Sequence, residues 1–520
     1  MTSFILVMAC AIAAGWVANR IHVPYPIVLV LAGIGMGVAF DWPALQTKPE
    51  LVLAIVLPAV LYPAAIETSW RDFRRSLRPI LLLAIGLVAT TTLAVGFALK
   101  LLVPGAPWAV CFALGAIVSP PDAVAATAVL RRFRLPRRIT ALLEGESLVN
   151  DATGLVLYRF AVVAALTGVF SGWEMVGQFG LIAVGGVLLG IAMGWITSQI
   201  QERLDDPMLE LAMSLTTPFA TYWLCEWLQV SGVLGIVAVG LYRSRWGHLG
   251  ISPLARLNIL TFWRAIVFVV NCLVFVLIGI QLPAISSSLI EQQALDGRGV
   301  AGLVAILSAV AIGVRFLWIF VATYGVRLLL PSLRKRDPAS ARVSLLVSWC
   351  GMRGVVSLAA ALAIPVALPS GDPFPYRDLV ILLAFGIVFV TLVGQGLTLP
   401  ILVRALHLKT DNTARDECAL AREAMRRAAL RAVDNLVEEH GMPAHEAVAV
   451  KRFFDSHSRS PNRTSTTLDL DSEARLWLGA AAAQREALIR LWKKEEIGDD
   501  VLSRLEREID LTEARLARDD

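Results

Sequence analysis

The chain has 520 residues, of which 57% are hydrophobic and 17% charged, with a mean hydropathy of +0.67. So apolar a balance excludes an ordinary soluble globular protein and indicates a polytopic membrane protein. The formal net charge of +5 calls for no nucleic acid, because the cytoplasmic loops of membrane proteins are rich in Lys and Arg.

The charge is unevenly placed. Up to about Leu408 ionisable residues fall in short clusters between apolar runs, and beyond it they are dense. This divides the chain into a transmembrane domain, 1–408, and a cytoplasmic helical domain, 409–520. Cys10, Cys111, Cys225, Cys272 and Cys350 lie in apolar stretches at unrelated spacings and Cys418 in the charged tail, so neither a disulfide framework nor a metal-ligand cluster is read. No basic region precedes the first apolar run, so Phe4 to Ala18 reads as a retained span.

Taken in order, about thirteen stretches are long or apolar enough to cross a bilayer: residues 3–19, 26–40, 50–66, 79–101, 107–130, 141–164, 175–199, 208–228, 231–242, 259–282, 300–325, 341–365 and 377–401. Alternate loops hold Arg71 to Arg78, Arg131 to Arg138, Arg203, Arg243 to Arg256 and Arg327 to Arg342, whereas the intervening loops hold little beyond Lys48, Lys100, Arg298 and Arg377. The positive-inside rule then puts the N-terminus outside and the tail in the cytoplasm of an inner-membrane protein.

The fifth span is broken. Ala113 to Val118 runs into Ser119-Pro120-Pro121-Asp122 before the apolar run resumes; two prolines remove two backbone donors and clash with the preceding turn. Backbone freed at that depth is tolerated only when buried in protein or lining a cavity. The sixth span carries Gly145-Glu146-Ser147-Leu148-Val149-Asn150-Asp151. A carboxylate there costs a few kcal/mol or more, so an intramembrane acid is by default a functional-site hypothesis. On a helix Ser147 and Asp151 share one face, and Glu146 and Asn150 the neighbouring one. The twelfth span is interrupted at Cys350-Gly351-Met352-Arg353-Gly354. If spans one to six and eight to thirteen are inverted copies about the seventh, the two breaks cross at the midplane, a pattern that secondary transporters use for their sites.

A carboxylate between broken helices is suited to exchanging a proton for a cation. Burial disfavours its charged form and a bound cation or a donor such as Ser147 favours it, so H+ and Na+ compete for Asp151. The Asp151 carboxylate, the Ser147 hydroxyl and carbonyls freed at Pro120 and Pro121 are candidate oxygen ligands, with Asp122 at the break a further one. Glu146, Arg315 and Arg353 need partners; a Glu146–Arg315 pair would neutralise two charges and leave Asp151 to titrate. Asn271, Thr216, Thr217 and Gln395 are expected in interhelical hydrogen bonds, and Arg159 and Glu226 near outer span ends. The tail shows helical periodicity at 411–440, 444–454, 472–495 and 500–518, with a Ser/Pro/Asn/Thr-rich link at 456–467 and enough aromatics for a small core.

Together, Gly145 to Asp151, the Pro121-Asp122 break and Gly351-Met352-Arg353-Gly354 resemble the sodium/proton exchanger branch of the monovalent cation:proton antiporters, over residues 1–405. The resemblance implies a thirteen-span homodimer in which a core with the crossing helices moves against a dimerisation domain. It implies Asp151 as the shared proton and cation carboxylate, Asn150 as a brace of the broken fifth span, Ser147 and Asp122 in the ion site, and Glu146 with Arg315 as a structural pair. Asn150 in place of a second Asp is similar to the electroneutral type. Many bacterial relatives carry a third-span carboxylate where Pro63 stands here, with Glu67 four residues later, which leaves Na+ against K+ or Li+ undecided.

The reading is therefore a multi-pass Na+/H+ antiporter working by alternating access. K+/H+ exchange on the same scaffold and an ion-coupled organic-anion symporter are the alternatives, and a membrane sensor would have no need of Asp151. No phosphate-binding glycine loop or nucleophile triad is found, so neither enzyme chemistry nor a cofactor is expected.

Overall fold

A computed structural model describes residues 2–21, 25–39, 49–122, 126–127, 130, 133, 135–167, 172–204, 206–247, 251–291, 297–325, 340–368, 371–408, 413–440, 444–455 and 470–516. Apart from one isolated β-bridge between Ala367 and Pro373, their regular structure is helical. In chain order the helices are α1 (Thr2–Ile21), α2 (Tyr25–Ala39), α3 (Pro49–Glu67), α4 (Trp70–Arg75), α5 (Leu77–Leu102, with a π-helical stretch at Leu82–Leu87), α6 (Trp108–Val118), α7 (Arg137–Thr167) and α8 (Gly172–Gln201). There follow α9 (Pro207–Trp227), α10 (Gly232–Trp246), α11 (Pro253–Glu291), α12 (Gly297–Phe320, running into a π turn at Val321–Gly325), α13 (Ala341–Trp349), α14 (Val355–Leu362) and α15 (Arg377–Leu406). The C-terminal helices are α16 (Thr413–His440), α17 (Ala444–Asp455), α18 (Leu470–Lys493) and α19 (Asp499–Leu516).

The boundaries follow local chemistry. Asp206 caps α9 by accepting from the Met208 N–H at 2.7 Å, and Pro207 supplies the fixed φ of the first helical position. Ser231 caps α10 through the Leu234 N–H at 3.2 Å. Among the described residues six segments, Leu77–Leu102, Arg137–Thr167, Gly180–Gln201, Pro253–Pro283, Gly299–Gly325 and Arg377–Leu406, are long and apolar enough to cross a membrane.

The helices before α16 pack in two groups. Helices α2 and α11 lie along each other, as do α8 and α10, and α10 also packs on α3. The second group joins α5 to α6, α6 to α7, α12 to α5 and α15, and α14 to α15. On α8, Leu181, Leu188 and Trp195 are exposed, which suits lipid or another apolar partner.

Helices α16 to α19 carry apolar clusters of their own, one around Trp492, Leu488 and Leu505 and another around Trp477, Leu476 and Val433, with Phe454 and Trp477 at a centroid separation of 5.3 Å. They dock onto helix ends through charge. Asp499 accepts from Ser69 Oγ at 2.8 Å, from the Arg71 N–H at 3.2 Å and from Trp492 Nε1 at 2.6 Å. Burial raises its carboxyl, but the hydrogen bonds from Trp492, Ser69 and the Arg71 backbone outweigh that and hold it below the ordinary value. Arg137, in the first turn of α7, pairs with Glu417 at 2.8 Å and Asp500 at 2.9 Å. Arg256, in the first turn of α11, pairs with the buried Glu506 at 3.2 Å and Asp510 at 3.6 Å.

Three expected interhelical bonds are not made. Thr216 and Thr217 donate to the carbonyls of Ala212 at 2.8 Å and Met213 at 2.7 Å on their own helix, because a threonine hydroxyl reaches the preceding turn without needing a partner element. Both Gln395 amide atoms are buried with no partner among the described residues. Asn271 does bond across helices, donating from Nδ2 to the Tyr25 hydroxyl at 3.1 Å. Arg131, Arg132, Arg134, the basic run at 327–336 and the link at 456–467 lie outside the described residues.

Candidate ion site

Helix α6 ends at Val118 because Pro120 and Pro121 cannot donate, and α13 and α14 are separated by non-helical backbone from Cys350 to Gly354. The two breaks touch. The Asp122 N–H donates to the Met352 carbonyl at 2.6 Å, and Arg353 Nε donates to the Val118 carbonyl at 3.0 Å. That carbonyl is one of the orphan acceptors at the end of α6, where a cation also meets the negative end of the helix dipole. Arg353 is 1% exposed and is satisfied by carbonyls, bonding also to Gly351 at 2.5 Å and Ala311 at 3.4 Å. Its own N–H donates to Thr391 Oγ1 at 3.3 Å.

Two glycines make this crossing sterically possible. A Cβ on Gly354 would collide with the Asp122 carboxylate, and one on Gly351 would meet Arg315 Cδ at 2.5 Å. Asn150, fully buried, closes the assembly from α7 by donating Nδ2 to the Pro121 carbonyl at 2.9 Å. The carbonyl counted as freed by the proline is thus already engaged by an amide that holds α7 to the break.

The two polar faces of α7 go to different surroundings. Glu146 meets Arg315 of α12 in a fork-to-fork pair, Nη1 to Oε1 at 2.5 Å and Nη2 to Oε2 at 2.9 Å, with both side chains 2% exposed. Arg315 also donates to the Val347 carbonyl from Nε at 3.3 Å and Nη2 at 3.1 Å. Ser147 and Asp151 line a cavity of about 1180 Å³ together with Pro120, Asp122, Gly354 and Ser357. Unlike Glu146, Asp151 has no hydrogen-bond or ion-pair partner among the described residues. The opposite side of the cavity is built by Tyr25 of α2, Pro63 and Glu67 of α3, and Arg264 and Asn271 of α11.

The described lining of the cavity runs toward one end of these helices. Its lining reaches Glu67, the last residue of α3, and Arg404, in the last turn of α15. Glu67 faces Arg264 at 3.6 Å there, so it stands at the rim and not beside Asp151. Deeper in, Pro63 occupies the α3 wall with no carboxylate. Away from the cavity, Arg159 of α7 and Glu226 of α9 form an ion pair at 2.6 Å.

An acid with no partner among the described residues, sharing a cavity with a second carboxyl, a hydroxyl and broken-helix backbone, is an arrangement suited to a small cation. Residues 5–405 match the family described as "Sodium/hydrogen exchanger, transmembrane". The chain belongs to that family. It is 31% identical to an uncharacterized Na+/H+ exchanger of Escherichia coli, YjcE, over 98% of each chain. It is 30% identical to the sodium, potassium, lithium and rubidium/H+ antiporter of Bacillus subtilis, over 96% of this chain and 76% of that one. The fold is similar to that of the sodium proton antiporter MjNhaP1 from Methanocaldococcus jannaschii, with a TM-score of 0.62, 18% identity and coverage of 78% of this chain and 98% of that chain. The chain is thus a multi-pass membrane protein of a transporter family.

Arg353 is expected at the crossing and as a charge in want of a partner, but its role as a cap for carbonyls from three segments is visible only in the fold. Tyr25 and Ser357 carried no signal beyond being polar groups in apolar runs.

Proposed function

We propose that this exchanger moves Na+, with Li+ or K+ as alternatives, against H+ across the cell membrane, one ion for one proton, by alternating access. Asp151 is the carboxylate that proton and cation share. Ser147 and Asp122 supply further oxygens, Asn150 and Arg353 hold the broken helices, and the Glu146–Arg315 pair fixes α7 against α12. The observation that carries this reading is the contrast between the two acids of α7: Glu146 is neutralised by a guanidinium, whereas Asp151 faces the cavity with its charge unmatched. A buried carboxylate so placed is stable only when it holds a proton or a cation, and the two exclude each other.

Basic loops support a cytoplasmic location for residues 409–520 and for the helix ends on which the C-terminal helices dock, and on that reading the cavity is the inward-open arm of the cycle. Alternating access then needs the α7-bearing group to move against α2, α3 and α11. Homodimer formation follows from the family resemblance, and the exposed apolar face of α8 is a surface that suits it. Pro63, where a carboxylate is absent, favours K+ exchange as the second reading, and the cation range in the name of the Bacillus subtilis relative is compatible with it.

The test is dissipation of a pH gradient in everted vesicles on addition of Na+, Li+ or K+, with Asp151→Asn alongside the unaltered protein. Loss of all cation-dependent signal in Asp151→Asn is expected. Full activity in that variant sinks the mechanism, and a requirement for an organic solute replaces it with symport.

A further inference from the structure

The wall of the cavity facing Asp151 is mostly apolar, with Val60, Leu61, Val267, Phe268 and Phe275 among its residues. Its deep polar group is Asn271. On α11 it lies seven residues beyond Arg264, and therefore about 10 Å deeper than the rim pair of Arg264 with Glu67. Asn271 is 5% exposed and is held from one side only. Its Nδ2 donates to the Tyr25 hydroxyl at 3.1 Å, while its Oδ1 is buried with no partner among the described residues.

That asymmetry has a chemical meaning. An interhelical pin between α2 and α11 needs only the Nδ2 bond, and leaves a carbonyl-type oxygen, the negative end of the amide dipole, desolvated against an apolar background. A buried acceptor without a donor is unfavourable unless a ligand or its water fills it. The Tyr25 bond fixes the amide plane, so Oδ1 stands at a set position on the wall, and Tyr25 and Asn271 both line the cavity that holds Asp122 and Asp151. Hard monovalent cations take oxygen ligands, and distance to a rigid oxygen discriminates among ions of different radius.

We propose that Asn271, held in place by Tyr25, is a cation-selectivity residue: its Oδ1 contributes an oxygen to the monovalent cation, directly or through one hydration water, from the wall opposite Asp151. The proposal deepens the antiport reading and rests on it. It assigns part of the choice among Na+, Li+ and K+ to the α2–α11 wall, on the side of the cavity whose carboxylate, Glu67, stands at the rim in an ion pair with Arg264. Asp151 sets whether a cation or a proton is held, and Asn271 biases which cation.

The experiment reconstitutes the full-length protein, Asn271→Leu and Tyr25→Phe in proteoliposomes, with Asp151→Asn as control. The half-saturating concentrations of Na+, Li+ and K+ are measured together with the pH profile. Loss of one ligand oxygen in Asn271→Leu is expected to raise the half-saturating concentration of the preferred cation about fivefold to tenfold. The ratio between the preferred and least preferred cations should fall toward one, and the pH at half-maximal rate should stay where it is. Tyr25→Phe frees the amide and should shift the same ratio in the same direction by a smaller factor. Unchanged cation preference in Asn271→Leu, or an equal loss for all three cations, overturns the proposal and reduces Asn271 to a helix pin. Should Asn271→Leu fail to fold, Tyr25→Phe decides alone, an unchanged ratio being the overturning result. Absence of cation-dependent signal in the unaltered protein would instead overturn the antiport reading itself.

Discussion

The Glu146–Arg315 pair lends itself to a quantitative test, because its geometry separates the cost of breaking a buried ion pair from the value of having one. Two short bonds link the forks and both side chains are 2% exposed. Glu146→Gln leaves the guanidinium with an amide oxygen and two bonds to the Val347 carbonyl, while Arg315→Gln leaves a carboxylate with no cation. Removing one partner of such a pair costs about 3 to 5 kcal/mol, because the other charge stays buried and unmatched. Arg315→Gln should sit at the upper end and Glu146→Gln at the lower. The double substitution buries two amides that can bond each other, so its loss should be smaller than that of Arg315→Gln alone, giving a coupling of about 2 kcal/mol or more. Thermal unfolding of the detergent-solubilised protein measures the cycle, with pH-gradient dissipation in everted vesicles as the functional readout. A double variant whose loss equals the sum of the singles would refute the reasoning, and equal stability with transport abolished in every variant would give Glu146 a direct part in the exchange.

Two further outcomes follow from the crossing and from the docked C-terminal helices. Gly354→Ala places a methyl against the Asp122 carboxylate and should abolish cation-dependent transport while costing about 1 to 3 kcal/mol in thermal stability; normal transport would mean that the crossing relaxes freely. The Asp499 carboxyl is held below its ordinary value by Trp492, Ser69 and Arg71 against the opposing effect of burial, so its contribution to docking is fully present above the undocked pKa and is lost as pH falls through the docked one. Asp499→Asn should therefore loosen α19 from α4 by a constant amount between about pH 5 and pH 8, with the difference from the unaltered protein vanishing only below about pH 4. Hydrogen exchange at the amides of Arg71 and Asp499 to Val501 reads this, and a difference that grew on going from pH 8 to pH 5 would contradict it.

Much of the site could be read from one-dimensional chemistry. The two adjacent prolines ahead of Asp122 remove donors wherever they occur, so the end of α6 follows from the chain alone. The spacing of Ser147 with Asp151 and of Glu146 with Asn150 likewise follows from helical geometry. What sequence cannot carry is the identity of partners brought together by the tertiary fold. Arg353 meets the Val118 carbonyl across 235 residues of chain, and nothing in its neighbourhood distinguishes a guanidinium that seeks a carboxylate from one that caps helix ends. Thr216 and Thr217 went the other way: a polar group in a membrane helix suggests a neighbour, but the nearest acceptor was one turn back. Asn271 does make the interhelical bond expected of it, and only the fold shows that its other amide atom is buried without a partner among the described residues in a residue that lines the cavity.

The charged contacts of α19 have a mechanical consequence. Asp500 grips the start of α7, the helix of Asp151, while Asp510 grips the start of α11, the helix of Asn271. Those two carboxylates are ten residues apart on one rigid rod, about 15 Å along its axis. The rod thus splints the two walls of the cavity at their base, and any stroke that slides one wall past the other must either carry the rod along or unseat one of its ends.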